Sequence, residues 1–130
     1  MQSGGSTAVL NRSLVGAIKA SVGKFDNIFG SLRGIQGLIE NNLVNLTNIS
    51  ETRLAVISKT PGAFLGSTRH KLMEDEIESI LTHLQSNNIV ACIIIGGNDS
   101  AETGHSLYNA TTRAGINLSI VNIPKTIDND

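Results

Sequence analysis

Apolar positions along the chain follow two different patterns, and together they predict an alternating α/β fold. Within residues 75–85, Ile77, Ile80, Leu81 and Leu84 recur at helical spacing, with glutamates left for the solvent side. A similar apolar stripe predicts a first helix over residues 8–22. Short apolar runs predict buried strands at residues 28–29, 44–49, 90–95 and 118–123. Helices and strands joined by short polar segments are typical of a three-layer α/β domain.

Two polar loops follow the last two predicted strands. Residues 96–100, Gly-Gly-Asn-Asp-Ser, precede a helical stretch that extends to residue 114, and residues 124–130, Pro-Lys-Thr-Ile-Asp-Asn-Asp, follow the next strand. A strand, a helix and a second strand in this order form a right-handed crossover, so both loops should emerge at one edge of the sheet. Because open parallel sheets bind ligands at that edge, we expect the two loops to face one ligand.

The residue types in these loops suit phosphate chemistry. The paired glycines allow close approach of backbone amides, and a helix predicted to open at about Ser100 would point its amino end at a phosphate. Ser100 is also the predicted N-cap of that helix. Asp128 is a candidate base, and Asp128 with Asp130 could bind a phosphate and its metal together. Taken alone, the second loop could equally be a polar turn.

The two loops at this spacing resemble those of the phosphofructokinases, which carry a Gly-Gly-Asp-(Gly or Asp)-Ser loop and later a Pro-(Gly or Lys)-Thr-Ile-Asp-Asn-Asp loop. Residues 2–11 resemble the first glycine loop of the family and the helix after it, and residues 32–38 are similar to its next arginine and glycine segment. Residues 60–69 resemble the loop that brings an arginine to the transferring phosphate. The resemblance spans the whole chain and implies the Rossmann-like N-terminal domain of the family, with a mostly parallel sheet.

The resemblance implies transfer of a phosphoryl group to the 1-hydroxyl of fructose 6-phosphate, a step of glycolysis, with Mg²⁺ as cofactor. Asp128 would accept the proton of that hydroxyl, Thr126 and Asp130 would help to hold sugar and phosphate, and Arg69 would be the charge clamp. The residues implied in binding the donor phosphate are Gly4, Gly5, Gly97 and Ser100.

Two loop positions favour pyrophosphate over ATP as the donor. Asp99 stands where the ATP-using form usually has glycine, and its carboxylate would repel the α-phosphate of a nucleotide while leaving room for pyrophosphate. Lys125 also replaces a common glycine and could neutralise charge on the departing phosphate. The ATP-dependent form remains the alternative.

Asn98 departs from the family pattern. It stands where the family has an aspartate that binds magnesium, and an amide oxygen is a neutral and poorer ligand for that ion. Either Asp99 or Asp130, together with bound phosphate, supplies enough negative charge, or the protein is a non-catalytic phosphate-binding or regulatory paralogue.

Composition excludes some other classes of function. The chain has 130 residues, 40% of them hydrophobic, and a net charge of −1, which suits one soluble domain with its own core. The ten lysines and arginines are scattered and only 3% of residues are aromatic, so nucleic acid is not an expected partner. The apolar run 89–95 is far shorter than the roughly 20 residues of a membrane-spanning helix. Cys92 lies in a predicted buried strand, which predicts a core residue and a reducing cytoplasm.

Both ends of the chain suggest a fragment. Only three residues precede Gly4 and Gly5, so we expect the strand before them to be missing, and the chain stops within the second loop. We therefore expect an N-terminal piece of a phosphofructokinase, lacking the sugar-phosphate-binding domain and inactive by itself. The resemblance implies a homo-oligomer for the full-length protein.

Overall fold

Five helices and four strands make up the computed structural model, which describes residues 1–129; Asp130, a predicted substrate-binding residue, lies outside the described residues. The helices are α1 (Ala8–Ser21), α2 (Ile35–Ile39), α3 (Glu51–Lys59), α4 (Ile77–Ser86) and α5 (Asn98–Arg113). The strands are β1 (Phe29–Ser31), β2 (Leu43–Asn45), β3 (Ala91–Gly96) and β4 (Ser119–Pro124). Single 3₁₀ turns occur at Glu74–Glu76 and Ile127–Asn129.

Strands β3 and β4 pair in parallel and form the centre of the fold, as the crossover pattern predicted. Their register places Gly96 opposite Pro124, so both strands end at the same level. On the other side of β3, Gln2 makes a single parallel bridge to Ile95, and the Ser3 amide donates to the Ile95 carbonyl at 2.8 Å. The three residues before the first glycine loop therefore extend along β3, and three loops leave one edge of this sheet.

Helices cover both faces of the parallel pair. Leu10, Leu14 and Ile18 of α1 pack on the face of β3 that carries Ile95. The opposite face is covered by α4 and α5, through Ile80, Leu84 and Leu107 together with Cys92 and Ile94. Alternate residues of β3 thus enter different hydrophobic clusters, which is the pattern of a strand buried between two layers. The predicted three-layer arrangement is confirmed.

Strands β1 and β2 form a separate antiparallel pair, with Gly30 opposite Val44. The prediction of a strand over residues 44–49 is wrong beyond Asn45. The Asn45 side chain accepts from the Thr47 amide, and the Thr47 hydroxyl accepts from the Ile28 amide, so the chain turns where the apolar run predicted extended backbone. Helix α3 then begins after Ser50, whose hydroxyl caps it by accepting from the Arg53 amide.

Cys92 is a free, buried core residue, as predicted. Burial raises the pKa of its thiol, because the thiolate would be poorly solvated there. Across residues 1–129, the helices are too short or too polar for any of them to cross a bilayer.

Candidate active site

A cavity of about 890 Å³ opens where the three loops leave the parallel sheet. It gathers most of the residues predicted for the donor site, although they come from distant parts of the sequence. The predicted residues that line it are Gly4, Gly5, Arg69, Gly97, Asn98, Asp99 and Ser100. Among residues 1–129, three predicted site residues are not part of this lining, namely Lys125, Thr126 and Asp128.

Helix α5 begins at the cavity wall with Gly97 as its N-cap. The Gly97 carbonyl accepts from the amides of Ser100 and Ala101, both at 3.1 Å. The prediction of Ser100 as the N-cap is therefore wrong: the N-cap is Gly97, three residues earlier. Its backbone is extended, and no side chain caps the helix. Asn98 and Asp99 lie exposed in the first turn, whose amides and dipole favour an anion.

Ser100 packs so closely on residue 96 that only glycine fits there. The sequence patterns assigned Gly96 no separate role. A Cβ atom on Gly96 would overlap the Ser100 hydroxyl and come within 3.0 Å of the Ser3 carbonyl oxygen. Ser100 is buried at 5% exposure against this glycine. The absent side chain thus lets α5 sit directly on the sheet edge and brings its first turn to the cavity.

The first glycine loop lies against the other two loops. Gly4 has a φ of +88°, a conformation that favours glycine, and a Cβ there would lie 3.8 Å from the Gly97 nitrogen and 4.0 Å from the Lys125 oxygen. The Lys125 amide donates to the Gly96 carbonyl at 2.9 Å. The backbones of the three loops are thereby held together as one wall.

Lys125 lies behind this wall rather than in the cavity. Its side chain is only 2% exposed, and its Nζ donates to the Gly5 carbonyl at 3.3 Å. The positive charge is therefore placed under the first glycine loop. In this position it supports the first glycine loop directly.

The turn that carries Asp128 is held by an asparagine that sequence reasoning did not single out. Asn129 accepts from the Thr126 amide at 2.7 Å and donates to the Pro124 carbonyl at 3.1 Å. Asp128 and Thr126 are exposed on this turn. A Cβ on Gly97, which lines the cavity, would lie 4.0 Å from the Thr126 Cβ. The signal was the asparagine itself, because such side chains commonly bond to nearby backbone in turns.

The segment that carries Arg69 is tied to the start of α4. Arg69 is exposed and lines the cavity, and the next residue, His70, contacts the Glu76 carboxylate at 2.8 Å. Glu76 also accepts from the Met73 amide at 2.9 Å. The hydrogen bond from His70, and then that from Met73, hold the pKa of Glu76 below its ordinary value.

Within residues 1–129, no three side chains of the His, Cys, Asp and Glu types come together as a metal cage. Asn98 and Asp99 are the oxygen donors in the first turn of α5. Mg²⁺ is commonly held by one or two carboxylates and by substrate phosphates, so this pair fits the ion only when phosphate oxygens complete its coordination.

Comparisons with known proteins agree with this geometry. The family model for phosphofructokinase matches residues 1–130. The pyrophosphate–fructose 6-phosphate 1-phosphotransferase of Rhodospirillum rubrum is 37% identical over 99% of the chain and 32% of its own length. The ATP-dependent 6-phosphofructokinase of Propionibacterium freudenreichii is 30% identical over 100% of the chain and 35% of its own length. The crystal structure of a pyrophosphate-dependent phosphofructokinase from Nitrosospira multiformis has a TM-score of 0.90 and 31% identity, over 99% of this chain and 33% of that one.

The chain belongs to the phosphofructokinase family. It spans about a third of the length of the relatives that it matches. Its described residues form the edge of the sheet that carries the glycine loops. The family consists of kinase-type enzymes.

Proposed function

We propose that the protein carrying this chain transfers a phosphoryl group from pyrophosphate to the 1-hydroxyl of fructose 6-phosphate, giving fructose 1,6-bisphosphate. The observation that carries this proposal is the position of Asp99 in the first turn of α5, where it is exposed and lines the cavity beside Gly4 and Gly5. A carboxylate there disfavours the additional phosphate of a nucleotide and leaves space for pyrophosphate.

The remaining groups supply what phosphoryl transfer requires of a protein, which is mainly positioning and charge stabilisation. Arg69 at the cavity wall offers a guanidinium to the transferring phosphate, and Lys125 places a positive charge under the first glycine loop. Asp128, exposed on its turn, would accept the proton of the sugar hydroxyl. Thr126 on the same turn would contact the sugar phosphate.

Magnesium is part of the proposal. Bound with pyrophosphate, the ion would neutralise charge on the transferring phosphate. Asp99 would hold it, with the Asn98 side chain as a weaker neutral ligand and phosphate oxygens completing the set.

Asn98 also supports a second candidate, a phosphate-binding or regulatory paralogue without catalysis. It is an amide at the position where the family has a carboxylate ligand, and it lies exposed in the first turn of α5. In that case the cavity would bind pyrophosphate without turning it over. ATP as the donor is the third candidate, because relatives of both donor types match the chain.

The test is an assay of fructose 1,6-bisphosphate formation by the protein that contains this chain, with Mg²⁺ and either pyrophosphate or ATP. We expect fructose 1,6-bisphosphate to form when pyrophosphate is the donor and not when ATP is. Product formation with ATP and not with pyrophosphate would overturn the donor assignment. Pyrophosphate binding without turnover with either donor would favour the non-catalytic candidate.

A matched variant tests the role of Asp99 in that assay. Replacing Asp99 with Gly should raise the ratio of ATP to pyrophosphate turnover, whereas Glu102→Gly, which removes a carboxylate one helical turn further along the cavity wall, should leave it unchanged. An unchanged ratio in Asp99→Gly would show that Asp99 does not select the donor.

A further inference from the structure

We propose that Gln2 and Asn11 are positioning residues for the donor site, because their buried side-chain amides fix the Gly4–Gly5 loop against the segment that leads to Arg69. This inference rests on the proposed function for its link to pyrophosphate. The contacts themselves are independent of the choice of donor.

Gln2 joins the first glycine loop to two other parts of the chain. It is fully buried and precedes Gly4 by two residues. Its Nε2 donates to the Leu10 carbonyl at 3.2 Å and to the Asn11 Oδ1 at 2.9 Å, and its Oε1 accepts from the Leu65 amide at 2.8 Å. One side chain thus connects the sheet edge, helix α1 and the loop after α3.

Asn11 completes the connection from within α1. It is 2% exposed, and its Nδ2 donates to the Thr60 carbonyl at 2.9 Å. Its Oδ1 accepts from the Phe64 amide at 2.8 Å as well as from Gln2. The two amides therefore bind both ends of the loop over residues 60–65, which has no regular secondary structure of its own.

The contacts of Gln2 also constrain the segment that leads to Arg69. The Leu65 amide donates to the Gln2 side chain, and the Leu65 carbonyl accepts from the Arg33 amide at 2.7 Å. Gly34, with a φ of +63°, fits between the Gln2 carbonyl and Thr68: a Cβ there would lie 3.1 Å from the Gln2 oxygen and 3.2 Å from the Thr68 methyl carbon. Thr68 directly precedes Arg69.

Side-chain amides suit this task better than apolar groups would. The loop presents two amides and one carbonyl to the Gln2 and Asn11 side chains, and each needs a partner because buried, unpaired backbone groups are strongly disfavoured. No buried side-chain nitrogen or oxygen lacks a partner across residues 1–129. A fully paired network of this kind fixes one arrangement of the segments that it joins.

The experiment compares Gln2→Met, which keeps the length of the side chain and removes its hydrogen bonds, with Thr111→Val. Thr111 is equally buried and bonds to the Tyr108 carbonyl near the far end of α5, so it controls for the loss of a buried hydrogen bond elsewhere. Inorganic pyrophosphate with Mg²⁺ is titrated into each folded protein by calorimetry. We expect Gln2→Met to weaken binding by about tenfold or more, the scale of one unpaired buried group, and Thr111→Val to leave it unchanged. Equal weakening in both variants, or none in Gln2→Met, would overturn the inference.

Amide hydrogen exchange separates this inference from the proposed function. In the unmodified protein the Phe64 and Leu65 amides should be as protected as those of β3, and in Gln2→Met the faster exchange should be confined to the loop that leads to Arg69. Rapid exchange of Phe64 and Leu65 in the unmodified protein would overturn the inference even if Gln2→Met does not fold. If the unmodified protein shows this protection and does not bind pyrophosphate, the proposed function fails while the network stands.

Discussion

The Lys125 ammonium group donates to the Gly5 carbonyl at 3.3 Å, although 120 residues separate the two in sequence. Lysine is among the residues least often fully buried, and this one is 2% exposed. Its position joins the loop after β4 to the first glycine loop from behind. A change at Lys125 should therefore affect the donor site even though the side chain does not line the cavity.

We expect Lys125→Met to raise the KM for pyrophosphate by about tenfold or more, because the variant loses a charge-assisted hydrogen bond and the positive charge beneath Gly5. The KM for fructose 6-phosphate should change little. Steady-state kinetics with each substrate varied in turn would check this. Lys24→Met, at an exposed position after α1, is the control. An unchanged pyrophosphate KM in Lys125→Met would contradict the supporting role.

Replacing Asn98 with Asp should lower the Mg²⁺ concentration needed for half-maximal rate, by about tenfold, because a carboxylate replaces a neutral amide in the first turn of α5. Magnesium titrations of the pyrophosphate-dependent rate would measure the shift. The matched control is Asn109→Asp, which adds the same charge on the same helix three turns further along. A Mg²⁺ dependence that is identical in the unmodified protein and in Asn98→Asp would show that residue 98 does not contact the ion.

Sequence patterns predicted the part of this fold that consists of elements consecutive along the chain. Strands β3 and β4 with α5 between them follow from two apolar runs and a helical stretch, and right-handed crossover then places both loops at one edge. Turn and cap chemistry was harder to predict. Backbone groups of Gly97 start α5, and Asn45 ends β2 within an apolar run, so side-chain patterns gave the wrong boundaries.

The polar contacts between distant segments could not be predicted from the sequence. Gln2 contacts Leu65 across 63 residues, and Lys125 contacts Gly5 across 120. A local sequence pattern predicts that polar residues next to a glycine loop are exposed. It does not show that three distant segments pack around them. Their burial is a property of the assembled sheet edge and not of any single element.

A pair of helical glycines offers a direct test of the packing of the helices. A Cβ on Gly37 in α2 would overlap the Leu32 carbonyl and lie 2.7 Å from the Leu32 nitrogen, whereas nothing lies within 4 Å of a Cβ on Gly16 in α1. We expect Gly37→Ala to lower the free energy of unfolding by about 1–3 kcal/mol, because the backbone must move. Gly16→Ala should raise it by about 0.5–1 kcal/mol through its higher helix propensity. Urea unfolding would measure both changes, and a stabilising Gly37→Ala would refute the close packing of α2 on the preceding turn.

The contact between His70 and Glu76 should make stability depend on pH in a defined direction. The hydrogen bonds from His70 and from the Met73 amide lower the pKa of Glu76 below its ordinary 4.5, so the ionised form stabilises the folded protein. This contribution is fully present above pH 4.5 and is lost as the pH falls through the lower pKa of the folded state. Glu76→Gln should therefore lower the urea midpoint at pH 7, and the difference from the unmodified protein should shrink as the pH falls below 4.5.

Urea unfolding at pH 7 and at several values below pH 4.5 would measure that difference. Asp26→Asn, at an exposed carboxylate in the loop before β1, is the control and should change the midpoint little, as surface substitutions usually do. Equal midpoints for Glu76→Gln and the unmodified protein at pH 7 would contradict the prediction, as would a difference that grows as the pH falls further below 4.5. Either result would mean that the His70–Glu76 contact does not hold the segment carrying Arg69 against α4.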